Sequence, residues 1–140
     1  MEAKVYPEFD FKMNFDGCSK GNPGLSGAGY VIYHKEKEIV SESKFIGNNY
    51  TNNYAEYFGL ICGLQKAISI GITRLYVEGD SLLVINQMKG LYKCNSKNLI
   101  ELFNFAKELE RKFEYISFNH VLRNKNKKAD ELSNLALVLK

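Results

Sequence analysis

The sequence predicts an α/β fold built on a five-stranded mixed sheet, and three observations carry that expectation. Three β-patterned segments follow one another with short connections, the mark of an antiparallel meander. From Tyr54 onward the apolar spacing lengthens from two residues to three and four, the mark of helices. Two further short β-patterned segments then alternate with helices, and strands joined by helical crossovers run parallel. With 140 residues, 45% hydrophobic and 25% charged, the chain fits one globular domain over 1–140 rather than a disordered segment.

Residues 1–8 read as a loose tail, because Pro7 suits a central strand badly. Phe11, Met13 and Phe15 alternate with Lys12 and Asn14, so the first strand starts there and ends at Asp16-Gly17. Residues 21–27 (GNPGLSG) are turn chemistry throughout. Residues 29–34 form the second strand, rich in β-branched and aromatic side chains. Residues 35–38 make a polar hairpin connection and 39–45 the third strand. Tyr54, Tyr57, Phe58, Ile61, Leu64 and Ile68 then mark one face of a helix, announced by Thr51-Asn52-Asn53 and stopped by Gly71. Residues 74–78 are the fourth strand, leading into Gly79-Asp80. Asp80 or Ser81 caps a short helix that runs to Met88 and ends at Gly90. Leu99, Leu102, Phe103, Ala106 and Leu109 mark the next helix, residues 115–121 the fifth strand, and 123–128 a basic loop. Leu132, Leu135, Ala136 and Leu139 mark a last helix.

Composition narrows the function classes. No apolar run is long enough to cross a bilayer, and the acidic first ten residues do not read as a signal peptide. Three cysteines without C-x-x-C spacing argue against a disulfide framework or a zinc site and suit a reducing, intracellular compartment. A net charge of +3 permits a nucleic-acid partner without demanding one.

The topology puts the first strand between the hairpin and the crossover strands, where chain order reverses and α/β sheets bind ligands. Asp16 and Asp80 follow neighbouring strands at that point, each beside a glycine. Glu56 lies one turn into the first long helix, near its packed face, and Asp130 in the first turn of the last helix. Four converging carboxylates would repel one another, and a hard divalent cation, Mg²⁺ or Mn²⁺, resolves the conflict. Two such ions suit phosphodiester hydrolysis. Glu78 shares strand parity with Asp80 and competes for its place.

Four segments, in order, cover nearly the whole chain and resemble the motifs of the type 1 ribonuclease H family, in its compact, reverse-transcriptase-like branch. They are Phe15-Asp16-Gly17-Cys18-Ser19-Lys20-Gly21-Asn22-Pro23-Gly24, Thr51-Asn52-Asn53-Tyr54-Ala55-Glu56, Glu78-Gly79-Asp80-Ser81, and residues 120–130 from His120 to Asp130. The resemblance implies a ribonuclease H-like fold. It implies a metal-dependent endonuclease that hydrolyses the RNA strand of RNA–DNA hybrids by a two-metal-ion mechanism. Asp16, Glu56, Asp80 and Asp130 are then the ligands of two Mg²⁺ ions, with Mn²⁺ as the alternative, and His120 assists proton transfer or product release.

The same resemblance places Gly17, Ser19, Asn22, Asn52, Asn53, Ser81, Arg123 and Asn126 against substrate, and Thr51 near a phosphate of the DNA strand. Such short polar groups suit reading of the ribose 2′-OH. The expected partner is an RNA–DNA hybrid duplex bound by a monomer, with no membrane and no small-molecule cofactor. Plainer readings stand beside these. Asn22 serves as a turn residue, Asn52 and Asn53 as helix caps, residues 123–128 as a solvated loop, and His120 as a structural histidine. The functional alternatives are a non-catalytic nucleic-acid-binding module on the same fold and the same chemistry on double-stranded RNA. Two departures from the family pattern bear on grip. The segment 89–97 is short and holds only Lys89, Lys93 and Lys97 where longer members carry a basic insertion, and Leu82 stands where some relatives place a polar contact.

Overall fold

A computed structural model describes residues 9–139; the tail expected over 1–8 lies outside the described residues. The elements are β1 (Phe11–Lys20), β2 (Gly24–His34), β3 (Lys37–Tyr50), α1 (Asn52–Ser69), β4 (Arg74–Gly79), α2 (Leu82–Met88), α3 (Ile100–Glu110), β5 (Tyr115–His120) and α4 (Lys127–Val138). A single 3₁₀ turn, Arg123–Lys125, precedes α4. The strands lie in the order β3-β2-β1-β4-β5. The β1–β2 and β2–β3 pairs are antiparallel, whereas β4 runs parallel to both β1 and β5. This is the mixed five-stranded sheet the sequence predicts.

Alternation along the strands sorts the sheet into two faces. Met13, Phe15, Tyr30, Ile32, Leu75 and Val77 are buried together with Tyr57, Leu60 and Leu64 of α1 and with Val84 and Ile85 of α2. The opposite face of the β1–β2 hairpin receives α4. It comes so close that a Cβ on Gly29 would stand 2.5 Å from the Leu132 Cβ. Two helices thus clamp one hairpin, and burial of these apolar side chains supplies the main driving force for the arrangement.

Four boundaries differ from expectation. β1 does not stop at Asp16-Gly17; it continues to Lys20, because Gly17, Cys18, Ser19 and Lys20 pair with Ala28, Gly27, Ser26 and Leu25. The turn shrinks to residues 21–23, and β2 starts at Gly24. β3 extends to Tyr50 although residues 46–50 (IGNNY) lack alternation, since pairing with β2 supplies the hydrogen bonds their composition does not announce. Residues 123–128 are not a loop: they are a 3₁₀ turn followed directly by the start of α4.

Candidate active site

Three carboxylates meet where the pairing of β1 with β4 ends. Asp16, Glu56 and Asp80 each offer an oxygen, and these oxygens lie within 4.8 Å of one another. Asp16 is 4% exposed and Glu56 8%. The backbone brings them together through Gly17. Its missing side chain lets α1 approach β1, and its N–H donates to Asp16 Oδ1 at 2.9 Å. Two caps set the height of Glu56: Thr51 Oγ1 accepts from the Tyr54 N–H at 3.1 Å, and Asn22 Oδ1 accepts from the Asn52 N–H at 2.9 Å. Ser81, directly after Asp80, caps α2 by accepting from the Val84 N–H at 3.2 Å.

Crowding shows in the acidities. Burial pushes the Asp16 carboxyl up to about 7, against its contacts with Glu56 and the Gly17 N–H, and the charges of Asp80 and Asp130 add to the rise. Glu56 is raised well above the ordinary carboxylate range by burial and then by the Asp16 charge. Asp80 is raised by burial, with Asn126 and Arg123 opposing. Glu56 Oε1 is buried and has no hydrogen-bond partner. An orphaned buried carboxylate oxygen among like charges is what a cation would satisfy, and an all-oxygen donor set suits a hard divalent ion. The trio could therefore hold a metal.

Asp130 stands apart from the group of three. It lies in the first turn of α4, with Oδ1 3.6 Å from the Arg123 guanidinium and 3.2 Å from the Asn134 side-chain amide. It remains close enough for its charge to raise both Asp16 and Asp80. Glu78 does not take the place of Asp80. It is buried on β4, where it accepts from Asn14 Nδ2 at 3.1 Å and faces Lys12 Nζ at 3.6 Å.

The remaining expected contacts divide by exposure. His120 is exposed at the end of β5, opposite Gly79, and Arg123 is exposed beside Asp130. Asn52 and Asn53 are exposed in the first turn of α1. The Ser19 hydroxyl donates to the Tyr50 carbonyl at 2.7 Å, which ties β1 to the end of β3. Asn126, expected against substrate, is 2% exposed, donates to the Phe15 carbonyl at 2.9 Å, accepts from Asn14 at 3.0 Å and bonds the Asp80 side chain. An amide with those bonds braces the fold from inside.

Two residues escaped the sequence reading. Asn98 donates to Thr51 Oγ1 at 3.2 Å and brings the start of α3 to the cap of α1. Asn14 reads as an ordinary solvent-side residue in an alternating strand, yet it is 5% exposed. No local pattern distinguishes a buried polar position from a solvated one.

Comparison with known proteins places this geometry. A family profile described as reverse transcriptase-like matches residues 14–136. A bifunctional protein of Mycobacterium tuberculosis is 41% identical over 123 residues, 87% of this chain and 34% of that protein. The chain thus spans about a third of the length of the mycobacterial relatives it matches. The crystal structure of RNase H1 from the halophilic archaeon Halobacterium salinarum superposes with a TM-score of 0.89 at 36% identity, covering 93% of this chain and 98% of that one. LC11-RNase H1, solved in complex with an RNA/DNA hybrid, superposes with a TM-score of 0.87 at 34% identity, covering 92% and 97%.

Proposed function

Because the chain belongs to the type 1 ribonuclease H family, we propose that it is an endonuclease that hydrolyses the RNA strand of RNA–DNA hybrids with two Mg²⁺ ions. The observation that carries this is the buried trio of Asp16, Glu56 and Asp80 with its orphaned Glu56 oxygen. Asp130 completes the acidic set from α4, where the helix N-terminus favours an anion. The hybrid bound to LC11-RNase H1 supports the substrate class.

Each residue has a task the geometry suits. Asp16, central among the acids, offers an oxygen within 4.8 Å of those of both Glu56 and Asp80. The Gly17 N–H fixes the orientation of the Asp16 carboxyl. When bound, the paired ions supply charge stabilisation for the attacking and leaving oxygens and acidify a water. His120, exposed at the strand end, carries a proton between the site and solvent. Asn22, Asn52, Asn53, Ser19 and Ser81 surround the α1 and α2 caps and present short polar groups and backbone amides to ribose and phosphate. Three free cysteines suit work in a reducing compartment.

The deciding experiment offers labelled RNA–DNA hybrid, double-stranded RNA and double-stranded DNA to the protein, with Mg²⁺ and with EDTA. Cleavage of the hybrid RNA strand in Mg²⁺, abolished by EDTA and by Asp80→Asn, is the expected result. Preferential cutting of double-stranded RNA would move the substrate reading, and full activity in EDTA would end the two-ion mechanism.

A further inference from the structure

Beneath the acids lies a second polar tier. Asn14 precedes Asp16 by two residues on β1, a step that returns to the same face of a strand, and Asn14 pairs with Glu78 of β4, which lies two residues before Asp80. Asn126 opens α4, and its carbonyl accepts the Asp130 N–H at 3.1 Å. These three residues are 5%, 8% and 2% exposed. One amide joins them: Asn14 Nδ2 donates to Glu78 Oε1 at 3.1 Å and to Asn126 Oδ1 at 3.0 Å. Asn126 returns the bond to β1 by donating to the Phe15 carbonyl at 2.9 Å. Lys12 Nζ stands 3.6 Å from the same Glu78 oxygen and offsets its charge.

We infer that Asn14 is a positioning residue for the catalytic acids, its amide clasping β1, β4 and the start of α4 so that Asp16, Asp80 and Asp130 stand at fixed separations. The orientation of the amide is dictated, because the reverse would set a carbonyl oxygen against the Glu78 carboxylate. Its own Oδ1 is buried without a partner. A leucine of similar shape would avoid that cost, so the amide stands here against the demands of packing. Rule-breaking of this kind concentrates beside functional sites. An outer partner that orients metal ligands acts through geometry, without touching metal or substrate.

This inference rests on the nuclease reading only for its activity arm. The test uses Asn14→Leu, Asn14→Ser, and the double variant Asn14→Leu with Glu78→Leu. Each is read by Mn²⁺ titration with electron paramagnetic resonance, by melting temperature, and by kcat and KM on hybrid. Asn14→Leu strands a buried carboxylate and melts lower. The double variant removes the stranded carboxylate and recovers part of the melting temperature, the rest being held back by Asn126 Oδ1, which loses its donor. All three variants are expected to lose roughly tenfold or more in Mn²⁺ affinity and kcat, with KM for hybrid held within about twofold. Recovery of Mn²⁺ affinity and kcat along with melting temperature in the double variant would reduce Asn14 to a packing residue and overturn the proposal. So would wild-type Mn²⁺ affinity in any folded variant. If Asn14→Leu fails to fold, Asn14→Ser and the double variant make the same comparison. A wild-type protein that binds Mn²⁺ but leaves hybrid intact would refute the nuclease reading and leave the Mn²⁺ arm to decide this one.

Discussion

Gly17 lies so close to Ala55 that a Cβ on it would stand 2.2 Å from the Ala55 carbonyl carbon. The atoms in the way are helix backbone, which has no rotamer to escape into. Gly17→Ala must push the first turn of α1 off β1 and carry Glu56 away from Asp16. The expected loss of stability is about 1–3 kcal/mol, as for other overpacked sites. The loss of kcat should exceed what that destabilisation explains, because the two acids separate. Thermal melting and steady-state cleavage of hybrid, measured on one preparation, check both.

Acidity in the trio makes the metal-free protein sensitive to pH. Asp16 has its pKa raised from 3.8 to about 7. Below pH 4 or so, folded and unfolded chains both hold its proton. Between there and about 7 only the folded chain does, so the folded state binds more protons and loses stability as pH rises through that window. In EDTA the melting temperature contributed by this group should therefore fall from pH 5 to pH 8. Asp16→Asn should flatten the profile and melt higher than wild type at pH 8. Saturating Mg²⁺ should raise the wild type more than the variant, since a ligand of the native state stabilises it by mass action. Calorimetry across pH, with and without Mg²⁺, reads all three.

Basic residues beside Asp130 predict the salt response. Arg123, Lys125, Lys127 and Lys128 are all exposed, the last two in the first turn of α4. Replacing Lys125, Lys127 and Lys128 with alanine should weaken hybrid binding in the presence of Ca²⁺. It should also flatten the slope of log affinity against log salt by up to about one for each phosphate that is no longer neutralised. An unchanged slope would assign these side chains to bulk solvent.

Sugar reading predicts a substrate ladder. On the proposed reading, the polar groups around the α1 and α2 caps would contact several successive 2′-OH groups. A duplex carrying a single ribonucleotide should be cut much more slowly than one with a run of four or more. Equal rates on the two substrates, measured as kcat/KM, would point instead to readout of one sugar.

Much of this architecture was legible in the sequence, and the reasons differ by residue. Thr51, Ser81, Gly71 and Gly90 marked helix ends because capping is local chemistry. Asp16 and Asp80 could be placed because strand order follows from which connections are hairpins and which are helical crossovers. The extension of β1 to Lys20 was hidden, since residues 21–27 carry turn chemistry and only the partner strand turns part of it into sheet. The burial of Asn14 and Asn126 was hidden too, for a related reason. Whether a polar side chain meets water or another element, here the start of α4, is settled by residues more than a hundred positions away.

The continuation of β1 past Asp16 changes what the metal-free site is like in time. Asp16 pairs with Gly29 inside the central hairpin, with ladder on both sides of it, rather than at a strand end free to fray. Opening the site there means parting β1 from β2, and core hairpins open only in fluctuations close to global unfolding. Amide protons around Asp16 should therefore be among the slowest in the chain to exchange with deuterium. The conformational entropy of ordering this carboxylate is lost once, when the chain folds. A cation bound there, as proposed, would find its ligand already held, and its affinity would reflect relief of charge rather than the ordering of a loop.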